Sequence, residues 1–188
     1  MNDDARLIDA TLAGDRLAFE QLVHKYQGRL FHALLQMTGC REEAEDVLQE
    51  AFVQAFVKLE TFAGRSAFYT WLYRIAFNLA ISHRRRRHDE LSIDRHRERT
   101  GEEPRDAGDG PGEQLLRDEQ VLQVRAAIAA LNDEHRAVLV LRDIEGCCYE
   151  TIAEILDVPL GTVRSRLHRA RLQLREQLMD ILQENLTE

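Results

Sequence analysis

The sequence predicts an all-α protein: two helical domains joined by a flexible linker. Three observations carry that prediction. The composition is poor in the residues of sheets and tight turns, with 6% aromatic residues, 10 Gly and 3 Pro in 188 residues. Apolar residues recur at helical spacing in both halves of the chain. Between the halves, His88–Glu113 holds nine acids, four Arg, four Gly and two of the three prolines, with little apolar periodicity. Such a stretch buries too little surface to offset its ordering entropy. It reads as a tether, loosest at Gly108–Gly112, and divides the chain into residues 1–87, 88–113 and 114–188.

The first half reads as four helices. Asp3–Ala13 is short and stops at Gly14. Asp15 caps the next, which runs through Phe19, Leu22, Val23, Tyr26, Leu30 and Leu34 to Gly39. Glu42–Leu59 places Ala44, Val47, Leu48, Ala51, Phe52, Ala55 and Leu59 on one stripe, with acids crowding its first turn. After the loop Glu60–Arg65, Ser66 is the expected cap of a helix through Phe68, Leu72, Ile75 and Leu79 to Arg84–Arg87.

The second half continues in helices. Gln114–Leu131 is amphipathic, and Asn132 caps a helix from Asp133 to about Ile144, closed by Gly146. Tyr149–Leu156 follows. The turn Asp157–Gly161 then leads into a basic helix from about Thr162 to Leu182. A short helix, a tight turn and a basic helix stand in helix-turn-helix order.

Charge is parcelled unevenly. The net charge is −8, yet Ala63–Arg87 holds six Arg and no acid, and Leu160–Leu178 five Arg and one acid. The two basic blocks suit nucleic acid; the acidic remainder argues against a protein that simply coats it. No apolar run approaches the roughly 18 residues of a membrane span, and the first residues are acidic where a secretory leader would be basic. The expectation is a cytoplasmic protein with no membrane insertion. Cys40, Cys147 and Cys148 lack metal or disulfide spacing and read as reduced thiols, the adjacent pair as buried packing. No Glu-x-x-His pair, zinc-protease motif, nucleophile elbow or phosphate-cradling glycine loop occurs. Catalytic residues, metal and cofactor are therefore all expected to be none.

On the last helix, Val163, Leu167, Ala170 and Leu174 share one face and should pack inward. Arg164, Ser165, His168 and Arg169 fall opposite, where they can read base edges in a major groove. Arg166, Arg171 and Arg175 would hold phosphates. In the first half, Tyr69, Trp71, Tyr73 and Phe77 accompany the Arg residues. Rings beside cations suit unpaired bases, and the alternative is that these rings are core. Asn78 carries both a donor and an acceptor for a base edge.

Several segments resemble one family. Ala67-Phe68-Tyr69-Thr70-Trp71-Leu72-Tyr73-Arg74-Ile75-Ala76 and Asp46-Val47-Leu48-Gln49-Glu50-Ala51-Phe52 resemble region 2 of the extracytoplasmic-function sigma factors, of the sigma-70 family. Tyr149–Leu156 with Pro159-Leu160-Gly161-Thr162-Val163-Arg164-Ser165-Arg166-Leu167 resembles their region 4. The resemblance implies promoter-directed transcription initiation, in a stress or envelope-signal regulon. It implies that Arg164, Ser165, Arg166, His168, Arg169 and Arg171 meet the upstream promoter element as duplex. Phe62, Arg65, Ser66, Tyr73, Asn78, Arg84 and Arg85 would meet the downstream element as a single strand. A flipped base would enter a pocket made by the loop Thr61–Ser66, with Phe62 and Asn78 beside it. Glu42, Asp46, Gln49, Glu50 and Val53, opposite the apolar stripe of their helix, would bind core RNA polymerase at the clamp coiled coil of its largest subunit. An anti-sigma factor is an implied partner. His168 departs from the apolar or aromatic residue common there, so promoter preference does not transfer. The competing reading is a helix-turn-helix regulator that binds duplex DNA without polymerase, its first half a dimerising or sensory module.

Overall fold

The computed structural model describes residues 3–94 and 113–184. Among these residues it contains eight α-helices and no strand: α1 Asp3–Leu12, α2 Arg16–Thr38, α3 Arg41–Val57, α4 Phe68–Asp94, α5 Glu113–Ala130, α6 Asp133–Leu139, α7 Tyr149–Leu156 and α8 Leu160–Glu184. The predicted class is the observed one.

Local chemistry fixes several of the helix ends. The Asp15 carboxylate accepts from the Leu17 N–H at 2.9 Å and starts α2. Gly39, at φ 75°, ends it and donates its N–H to the Leu35 carbonyl. The Asn132 side chain accepts from the His135 N–H at 2.8 Å and starts α6. Asp157 takes the left-handed conformation at φ 53°, a shape that Asp tolerates better than most residues, and turns the chain out of α7. Pro159 follows, and its carbonyl accepts from Thr162 in the first turn of α8.

Three expectations about elements are corrected. Ser66 does not cap α4: the helix begins at Phe68, and the Ala67 carbonyl accepts its first bond, from Trp71. The tether does not begin at His88, because α4 continues to Asp94. The remainder of the tether, with Gly108–Gly112, lies outside the described residues. Finally, the helix from Asp133 is not α-helical to Ile144. Val140–Ile144 widens into a π turn in which the Glu145 N–H reaches the Val140 carbonyl at 2.9 Å.

In the first half, α2, α3 and α4 pack through Leu22, Leu30, Leu34, Val47, Ala51, Phe52, Leu72 and Phe77, all buried. Each large apolar side chain removed from water contributes about 1.5–3 kcal/mol. α1 is tied to α2 by Asp4, buried, which accepts from Lys25 Nζ and from the Tyr26 hydroxyl at 2.7 Å. Burial first, and Asp4 second, push the Tyr26 hydroxyl far above its ordinary pKa. In the second half α8 lies against α5, α6 and α7, with Val163, Leu167 and Ala170 buried as the periodicity required.

The two halves are packed on each other. α4 rests against α7, and the C-terminal part of α2 against α5, α6 and the π turn. One apolar cluster runs through both. At its polar heart Arg136, fully buried, donates to the carbonyls of Ile128, Ala129 and Leu131 at the end of α5 and to that of Met37 at the end of α2. A cation there complements two helix C-termini at once.

Candidate nucleic-acid and polymerase interfaces

Three surfaces hold the residues singled out from the sequence. The first is the outer face of α8. Arg164, Ser165, His168 and Arg169 are all exposed, held outward by the buried Val163, Leu167 and Ala170 beneath them. The Ser165 hydroxyl donates to the Thr162 carbonyl within its own turn. Arg166 and Arg171 differ from these four. Arg166 is only partly exposed and pairs with Glu134 at 2.7 Å. Arg171 forms a forked pair with Asp143, and that hydrogen bond raises its pKa. Both meet a phosphate only by exchanging an existing partner, whereas the four outer side chains are open to a groove.

The second surface is the loop before α4 together with α4 itself. Gly64, at φ 68°, takes the turn that a side chain would strain. Arg65, Asn78 and Arg85 are exposed, and Ser66 is half-buried. Phe62 packs edge-on to Phe68 and tilts against Trp71, so its ring belongs to an aromatic cluster rather than standing free. Tyr73 is 0% exposed; its hydroxyl donates to Glu145 of the second half at 3.0 Å. Arg84 pairs with Asp133, also of the second half, at 2.6 Å. The ring-beside-cation pattern is therefore corrected in part: Tyr73 and Phe77 are core in this arrangement, and Tyr69 and Trp71 are half-buried.

The third surface is the outer side of α3. Glu42, Asp46 and Gln49 are exposed, and Val53 is 56% exposed. Glu50 is half-buried; it accepts from Gln54 and meets His83 Nε2 of α4 at 3.0 Å. Beside this row lies a groove of about 450 Å³ between α2 and α3. Phe19, Val23, Leu48, Phe52, Val53 and Phe56 line it, with Glu45, Gln27 and Gln49 on its rim. The sequence reading assigned Phe19 and Phe52 to the core and passed over Phe56. The signal was present: Phe56 and Val57 follow Val53 at i+3 and i+4, so the three share the outward side of α3.

The thiols also separate. Cys147 is buried and its Sγ lies 3.0 Å from the Tyr69 hydroxyl, whereas Cys148 is exposed beside Thr151. The expectation of a buried pair thus holds for Cys147 alone. Burial drives the Cys147 thiol pKa up, and the Tyr69 hydrogen bond only partly opposes it. Among the described residues no helix is long and apolar enough to cross a membrane.

A helical unit with an apolar groove beside an acidic row, followed along the chain by a basic helix-turn-helix, fits a DNA-binding subunit of the transcription apparatus. Residues 22–90 match the family description Sigma-70 region 2, and residues 122–174 match Sigma-70, region 4. The chain belongs to the extracytoplasmic-function group of RNA polymerase sigma factors. It is similar to RNA polymerase sigma-H factor of Pseudomonas aeruginosa, 38% identical over 186 residues and covering 96% of each chain. ECF sigma-E factor of Haemophilus influenzae is 37% identical, covering 95% of this chain and 97% of its own. Among solved structures, the sigma factor RpoE of Bartonella quintana in complex with the anti-sigma factor NepR has a TM-score of 0.68 at 25% identity, covering 86% of this chain and 96% of that one. CnrH, in complex with the cytosolic domain of CnrY, has the same TM-score at 24% identity, covers 95% and 99% respectively, and shares the fold.

Proposed function

We propose that this chain directs core RNA polymerase to promoters by dividing the work among the three surfaces described. Arg164, Ser165, His168 and Arg169 read the upstream element in the major groove, and Arg166 and Arg171 exchange their carboxylate partners for backbone phosphates. Arg65, Ser66, Asn78 and Arg85, joined by Phe62, Tyr73 and Arg84, hold the single-stranded downstream element. Glu42, Asp46, Gln49, Glu50 and Val53 hold the polymerase clamp coiled coil, whose apolar side chains have the Phe19–Phe56 groove to enter. The observation that carries this reading is the open face of α8: four polar side chains, all exposed, above a row of buried apolar residues. Residues 1–87 and 114–188 act as the two functional modules, and the work takes place in the cytoplasm. The chain hydrolyses nothing; strand opening draws on binding energy and on the polymerase. An anti-sigma factor is the expected inhibitor, as one accompanies the Bartonella quintana relative.

Transcription from a promoter library tests the proposal. With core polymerase added, the chain should select a discrete set of start sites, while alone it should bind duplex weakly. Tight binding to a two-fold symmetric duplex without polymerase would favour the independent regulator. No new start site with polymerase present would sink the sigma reading.

A further inference from the structure

We infer that His83 of α4 is a positioning residue for the polymerase-binding row of α3: it holds the Glu50 carboxylate in place without cancelling its charge. This deepens the reading of Glu50 as a polymerase contact and rests on it.

The run His83-Arg84-Arg85-Arg86-Arg87 is one basic block in the sequence, but the helix deals it out to different neighbours. Ala76 and Ala80, both fully buried, set the inward side of α4. His83, Arg84 and Arg87 continue that side at three, four and seven residues beyond Ala80. His83 and Arg87 reach α3: His83 Nε2 lies 3.0 Å from Glu50 Oε2, and Arg87 donates to Glu43 Oε2 at 3.1 Å. Arg84 turns to the second half, where it pairs with Asp133. Arg85 and Arg86 are exposed. The two rungs between α4 and α3 differ. Glu43 is 13% exposed, so its rung ties the helices together and presents little to a partner. Glu50 is 43% exposed, so its carboxylate is both held from behind by His83 and open in front.

Both oxygens of Glu50 are engaged. Gln54 Nε2 donates to Oε1 at 3.2 Å, and Lys58 Nζ donates in turn to Gln54 Oε1 at 3.1 Å. Gln54 belongs to α3 and moves with it. His83 belongs to α4, and so fixes the carboxylate relative to the rest of the first half. An ionised carboxylate only accepts, so the imidazole is the donor, and an imidazole donates one N–H even without a charge. A guanidinium in the same place would offset the acid; His83 orients it and leaves the row its charge. Each Glu50 oxygen keeps a further lone pair for a donor on the partner. A side chain already held in its bound geometry loses less freedom when the partner arrives, which is where the gain in affinity comes from.

The test uses the full chain and core polymerase, with association read by fluorescence anisotropy. His83→Leu keeps the bulk and removes the donor, and should weaken association about threefold. His83→Gln returns an N–H donor and should restore most of the affinity. In a Glu50→Ala background His83→Leu should cost nothing further, because nothing is left to position. Arg87→Met, which breaks the other rung, should leave association unchanged. Three results overturn the inference: wild-type affinity in His83→Leu, a full further loss in the Glu50→Ala background, or an equal loss from Arg87→Met. The last two would make His83 a packing residue between α3 and α4 and nothing more. Glu50→Ala alone separates the inference from the reading beneath it. If that variant binds core polymerase as the wild type does, Glu50 is no contact and both fall; if it binds more weakly while His83→Leu does not, only the role of His83 falls.

Discussion

Arg169 and Arg166 lie three residues apart on the same helix and have different surroundings. Arg169 is exposed with no ion pair among the described residues, whereas Arg166 is held by Glu134. Arg169→Ala should therefore cost about 1–3 kcal/mol of discrimination at one position of the upstream element. Binding measured across a set of single-base promoter variants checks this, and a uniform loss over all of them would make Arg169 a phosphate contact. The adjacent cysteines should part just as clearly. Iodoacetamide should modify Cys148 at least about tenfold faster than Cys147, as read by peptide mass spectrometry, because burial withholds the thiolate from Cys147. Equal rates would contradict the burial. The sign with pH follows from the raised thiol. Its contribution to stability is complete below the ordinary thiol pKa and is lost as pH rises through the raised value.

At the scale of the element, α3 shows how one helix serves two surfaces. Its inner stripe of Ala44, Val47, Ala51 and Ala55 is fully buried, and its outer row carries acids beside Val53 and Phe56. Small inner residues let α3 sit close to its neighbours. In the proposed interface, the charge of the outer row would steer encounter and the apolar groove would gain from desolvation. Glu50→Lys should weaken association with core polymerase roughly tenfold, since it inverts the charge of that row. Holoenzyme assembly followed by gel filtration or anisotropy reads the effect, and unchanged assembly would remove Glu50 from the interface. The loss should exceed that from His83→Ala, which frees Glu50 from α4 without altering its charge.

At the scale of the whole molecule, Arg136 ties the end of α5 to the end of α2. It is the largest of the fully buried side chains, and its guanidinium satisfies four backbone carbonyls, three in the second half and one in the first. Arg136→Met fills most of the space but leaves those acceptors without a donor. The expected loss is about 3 kcal/mol, read as a lower urea midpoint. A midpoint equal to the wild type would mean that water replaces the guanidinium. Contact between the halves should also loosen, because the Met37 carbonyl lies at the end of α2 while the other three close α5.

The sequence by itself determined the helical class, several helix ends and the two sides of α8. These depend on neighbours a few residues apart: a cap such as Asp15 or Asn132, a left-handed Gly39, an apolar residue every three or four positions. Ser66 was misread because a cap is decided by which residue turns the chain, and Ala67 stands nearer the first turn. Only the tertiary structure decided that Tyr73 and Arg84 are covered, that Arg166 and Arg171 are already paired, and that Glu145 joins the halves. Arg29 and Glu145 are 116 residues apart, and nothing periodic links them. Their meeting follows from how two finished surfaces fit, aided by a π turn that sets the Glu145 backbone out of α-helical register. A polar contact of that range leaves no local pattern, because its energy exists only once both surfaces have formed and excluded water between them.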